Sequence, residues 1–161
     1  MACDKSDQPR LRPGRPDEQR LDDLQADPFD RFTLSLMRWH FQGFAEPECQ
    51  GWLSALRLAT EVVGPARAPA LCYDIVALVE VVRATRRSVF RFNPEACAGC
   101  RQWVTPEERR MLSLLSALRS GRDGLAATQA QLLSDGRPNA DLIRVAGVYL
   151  ARHDERARQA A

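Results

Sequence analysis

Thr105-Pro106-Glu107-Glu108 is a complete helix-start signal, and the rest of the chain is punctuated in the same manner. A threonine hydroxyl can take the N–H three residues on. Proline suits the first helical position, and the glutamate at the third can reach back to the cap. Behind this start, Met111, Leu112, Leu114, Leu115 and Leu118 recur at helical spacing as far as Gly121. Asp27-Pro28 opens a first helix over about 28–43, carried by Phe29, Phe32, Leu36, Met37, His40 and Phe44. Pro47 opens a second, with Cys49, Trp52, Leu53, Leu56, Thr60 and Val63 on its stripe and Gly64 past its end. The third, about 67–87, is the most apolar and belongs at the centre of the core. Two more are expected over about 124–134 and from Pro138-Asn139 onward, the last using Leu142, Ile143, Val145, Ala146, Tyr149 and Leu150.

Six helices joined by short linkers, with no strong strand, specify an all-α, single-domain bundle of antiparallel helical hairpins. One irregular segment interrupts it, residues 88–104, with room for a short extended piece at Val89–Phe92. At 161 residues and 45% hydrophobic, the chain can bury a core without disulfides. Residues 1–26, with Pro9, Pro13 and Pro16 among dense charges, read as a disordered polar tail. Residues 27–153 form the globular domain and 154–161 a frayed end, with His153 in solvent.

The irregular segment holds Cys97-Ala-Gly-Cys100, whose spacing lets two thiols share a metal or close on each other. Five cysteines is an odd count, and the polar start of the chain lacks the apolar stretch of a signal peptide. No run approaches the roughly 18 apolar residues of a membrane span. A reducing cytoplasm is therefore expected, where paired cysteines serve metal or redox work more than structural bridging.

The hairpin geometry nominates further ligands. Cys49 lies about 15 residues, roughly 22 Å, from the Gly64-Pro65 turn, at the end from which the connector leaves. Cys72 lies near the other end and reads as core. The candidate zinc set is thus Cys97, Cys100 and Cys49, with His40 as a fourth ligand. Cys49, in the first turn of its helix, would have its thiolate favoured by the macrodipole. A redox dithiol and two ordinary buried thiols are the competing readings. A C-x-x-C in a helical chain resembles the carboxymuconolactone-decarboxylase-like proteins. Those carry a histidine shortly after the second cysteine, where this chain has Arg101-Gln-Trp-Val-Thr105.

Charge is uneven. Between Arg83 and Arg122 nine arginines face only Glu95, Glu107 and Glu108, a local +6 in a chain of net +2. Arg83, Arg86, Arg87, Arg91 and Arg101 form a candidate docking surface for an acidic protein partner or, less favourably, for nucleic acid. A helix-turn-helix over the last three helices offers poor base-edge donors at Asn139, Asp141 and Arg144. No H-E-x-x-H, Gly-rich phosphate loop or G-x-S-x-G is present, so no catalytic residue is assigned. The expected function is non-enzymatic binding of a regulatory or adaptor kind, with a helical thiol-redox protein as the alternative. Periodicity does not give the oligomeric state.

Overall fold

The computed structural model describes residues 12–155, which form an all-α bundle. Its helices are α1 (Pro28–Ala45), α2 (Gly51–Val63), α3 (Ala68–Thr85), α4 (Pro106–Arg119), α5 (Asp123–Leu133) and α6 (Ala140–His153). A two-stranded antiparallel ribbon pairs β1 (Gln19–Arg20) with β2 (Trp103–Val104).

Local chemistry sets the helix starts. The Asp27 carboxylate accepts the Asp30 N–H ahead of α1, and the Asn139 side chain accepts that of Leu142 ahead of α6. At α4 both halves of the capping box form: Thr105 Oγ1 accepts the Glu108 N–H and Glu108 accepts the Thr105 N–H. Gly64, at φ 82°, stops α2 in a conformation that side-chain-bearing residues avoid.

The core sits between α1, α3, α4 and α6, around Leu36, Met37, Leu71, Ile75, Leu78, Leu114, Leu115 and Tyr149. Antiparallel packing is fixed by polar pins at both ends of each pair. Asp30 meets Arg119 while Arg38 meets Glu108, so α1 and α4 run opposite ways. Asp74 meets His153 while Asn139 meets Thr85, so α3 and α6 do as well. Tyr149 is fully buried, and its hydroxyl shares a 2.6 Å hydrogen bond with Thr33 Oγ1.

Three details differ from the sequence reading. Residues 12–26, taken there as part of a polar tail, run along the bundle: β1 pairs with β2, and Leu21 and Leu24 pack on Leu34, Val104 and Leu112. Residues 1–11 and 156–161 lie outside the described residues. The extended piece falls at Trp103–Val104 and not at Val89–Phe92, because among the described residues a strand partner exists only for the former. Pro47–Cys49 is a separate 3-10 turn, followed by Gln50 at φ 50°, and α2 begins only at Gly51. A Cβ on Gly51 would collide with the Trp39 carbonyl and come within 2.8 Å of the Gly43 nitrogen, so α2 must start where α1 is closest.

Candidate functional site

The connector between α3 and α4 begins at a polar anchor. Asp135, at φ 53°, turns its carboxylate to the Arg87 N–H at 2.7 Å and the Ser88 N–H at 3.0 Å. The Ser88 hydroxyl and those two N–H groups lower its pKa to about 2. The chain then runs back along α1. Phe90 stacks on Phe41 at 4.3 Å between centroids and Phe92 at 5.7 Å. Further on, Glu95 meets Ser35 at 3.0 Å and Arg38 at 3.4 Å, so the connector climbs α1 toward its start.

Arg38 is the hub. It is 1% exposed. Its Nε and Nη2 donate to the two Glu108 oxygens at 2.7 and 3.0 Å. Nη1 and Nη2 also donate to the backbone carbonyls of Arg101 and Trp103, at 2.7 and 2.6 Å. Glu108 in turn accepts the Asn93 N–H at 3.1 Å and the Thr105 N–H at 2.9 Å. The N-terminal segment closes over this. Arg12 donates to Asn93 at 2.7 Å and to both Glu18 oxygens, and Trp103 Nε1–H donates to the Arg12 carbonyl at 3.0 Å. Burial pushes the Glu18 carboxyl up, but Arg12, the Arg15 N–H and Asn93 outweigh it and leave it at about 2.

The cysteines lie on the outer side of this hub. Cys97 and Cys100 are half-buried and their sulfurs stand at disulfide distance, with Cα atoms 5.1 Å apart. The Cys100 N–H points at Cys97 Sγ across 3.2 Å. The expected ligand set does not assemble. Among the described residues no three histidine, cysteine or acidic side chains stand close enough together to hold a metal. Cys49 lies in the 3-10 turn before α2, whereas the connector has reached the middle of α1 and α2 by residue 95. The hairpin estimate located where the connector leaves α3 but not how far it travels before Cys97. Cys49 ends that 3-10 turn and is not in the first turn of α2. His40 is two positions from Arg38, roughly 160° around the helix, and so faces away from the connector. It is buried with Nε2 unpaired, and burial lowers its pKa to about 4. Cys72 packs against the core, as expected, and burial raises its pKa.

The predicted basic surface divides. Arg86 is turned inward, 7% exposed, bonded to Glu107 and to the Leu133 carbonyl, with its guanidinium 6.0 Å from the Phe90 ring. Arg91 bridges Asp17 and Glu107. Arg83 pairs with Glu80 and lies over the Phe44 ring at 3.8 Å. Arg87 and Val89 are exposed at the start of the connector, and Arg101 is exposed near its end. The composition that suggested five docking arginines could not reveal that Asp17, Glu107 and Asp135 consume two of them.

Two recesses frame the remaining surface. One, of about 340 Å³, is lined by Trp39, Ser54, Arg57, Glu61, Glu95 and Arg101, next to the cysteine pair. The other, of about 610 Å³, lies at the opposite end of α1, over Phe29, Phe32, Val62, Val63, Arg67 and His153. His153 is not solvated, as its position near the C-terminal end suggested. It is 9% exposed, and its Nε2–H donates to Asp74 at 2.7 Å. No serine, threonine or cysteine lines this recess among the described residues. A histidine one turn beyond an apolar stripe, at the C-terminal end of a helix, was the only signal for it.

No family model, curated protein or solved structure matches the chain. Among the described residues, no helix is long and apolar enough to cross a membrane.

Proposed function

We propose that this protein is a small non-enzymatic helical protein that acts by binding, in a regulatory or adaptor role, through the outer face of its connector. The observation carrying this reading is the Arg38 hub. A long segment without helix is held in one shape by a buried guanidinium and two carbonyls, which costs desolvation and yields a loop of fixed form. A preorganised loop loses little entropy on docking. At its start it exposes Arg87 and Val89, with Arg83 and Phe44 beyond, a mixed basic and apolar patch suited to an acidic protein face, and Arg101 adds a second exposed cation near its end. The compartment in this reading is the cytoplasm, where Cys49 and Cys72 persist as thiols.

The test is a titration of the isotope-labelled protein with a polyglutamate peptide at low salt. Shifts confined to residues 83–104 and lost in Arg87→Glu/Arg101→Glu support the proposal. Shifts scattered over the bundle, or none, refute it. A single-stranded oligonucleotide that binds the same face more tightly would replace the acidic protein with nucleic acid as the partner class.

A second reading, of the cysteines as a dithiol–disulfide couple, is favoured by their spacing at disulfide distance with the Cys100 N–H on Cys97 Sγ. Zinc at this position would find two thiolates and would need water or a partner to complete its shell. Metal analysis of reduced protein decides between them. One zinc per chain, lost in Cys97→Ser, restores the metal reading.

A further inference from the structure

The recess beside Cys97 and Cys100 joins three charges that the fold leaves unused. Arg57 and Glu61 stand one turn apart on α2, and Arg101 follows Cys100 directly. All three are exposed, and none has an ion-pair partner among the described residues. The fourth charged group in the lining, Glu95, is already held by Arg38 and the Ser35 hydroxyl. Trp39 supplies an apolar wall and Ser54 a hydroxyl. Two guanidiniums and one carboxylate around about 340 Å³ are complementary to a small molecule bearing two carboxylates and one ammonium group. Ala96 is part of the same lining, so an occupant lies against the chain that carries the sulfurs.

We propose that Cys97–Cys100 is a thiol–disulfide exchange site whose reductant is a small amino-acid-type thiol seated in this recess, its carboxylates on Arg57 and Arg101 and its ammonium on Glu61. The proposal rests on the dithiol–disulfide reading of the pair. The incoming thiolate attacks Cys100 Sγ, forming a mixed disulfide and breaking the bond to Cys97. Cys97 leaves as a thiolate that accepts the Cys100 N–H already aimed at it across 3.2 Å. A second thiolate of the same kind attacks the outer sulfur of the mixed disulfide and frees Cys100. The net change is reduction of one protein disulfide and oxidation of two small thiols to their disulfide, two electrons in all.

The experiment follows the reduction of air-oxidised full-length protein by glutathione, which has the stated charges, and by cysteamine, which is cationic. Protein thiols are trapped by rapid alkylation and assigned by peptide mapping. The ratio of the two rate constants is expected to fall about tenfold in Arg57→Ser/Arg101→Ser, and by a similar factor for the unchanged protein in 0.5 M salt. Cys97→Ser treated with glutathione disulfide should keep an adduct on Cys100. A ratio indifferent to both the variant and the salt overturns the proposal, as does an adduct absent from Cys100. If air oxidation yields no Cys97–Cys100 disulfide that dithiothreitol can reduce, the underlying dithiol reading fails instead, and the two failures are thereby told apart.

Discussion

Arg38 is charged, almost wholly removed from water, and ringed by two carboxylates and two backbone carbonyls. Truncating one member of such a group leaves the others buried without compensation. Arg38→Met is therefore expected to lower stability by about 3–5 kcal/mol in urea unfolding. Arg38→Lys should recover little of it, since an ammonium cannot span the same fork of acceptors. His40 makes a different prediction. Its folded pKa of about 4 lies below the ordinary 6.5. Between those values the unfolded chain takes up a proton that the folded chain refuses. Stability should thus fall as pH drops from about 6.5 to about 4, and this contribution should level off below, for a total on the order of 3 kcal/mol. His40→Leu should flatten that part of a stability–pH profile. The burial of His40 follows from its place on the apolar stripe, but the role of Arg38 was not announced by residue type, because it is one of 22 arginines. A trace existed: Leu34, Arg38 and Phe41 share one helical arc, so an arginine stood where the stripe called for an apolar side chain.

At the scale of elements, the start of α4 is where local chemistry and long-range structure coincide. Thr105 caps the helix and also donates its hydroxyl to the Arg91 carbonyl at 2.8 Å, tying the cap to the connector. Thr105→Ala should cost about 1–2 kcal/mol by chemical denaturation, the upper part of the range for a lost cap. The helices were legible because each carries its own boundary signals, such as Asp27-Pro28, Thr105 and Gly64. The start of α2 was not, because what sets it is the approach of Gly51 to the α1 backbone. Contact between distant segments leaves no mark on a spacing pattern. The same holds for the connector. Where Cys97 ends up depends on Phe90 and Phe92 stacking along α1, which no local periodicity encodes.

For the whole molecule, residues 12–26 are a structural part and not an appendage. They add β1, bury Glu18 and contribute Leu21 and Leu24 to a small second core with Leu34, Val104 and Leu112. A chain lacking residues 1–26 should remain helical by circular dichroism yet lose about 3 kcal/mol, the burial of roughly two leucines. Trp103 should become more accessible to a fluorescence quencher in that variant, and unchanged quenching would count against the clasp. Composition misled here because the segment is held by arginine and carboxylate pairs, Arg12 with Glu18 and Arg31 with Asp22, and such residues look alike whether solvated or engaged.

The clasp also sets an order of events. Arg12 bonds to a side chain 81 positions away, and its carbonyl receives a bond from one 91 away. Residues 12–20 leave the ribosome long before Asn93, Trp103 and Glu108 exist to receive them. Helices α1 to α3 can pair among themselves meanwhile, because their contacts are short in sequence. The Arg38 guanidinium meanwhile can meet Glu95 but lacks its closer partner, Glu108, until α4 emerges. The earliest part of the described chain to be made thus waits for partners 81 and 91 positions later before its own contacts can form.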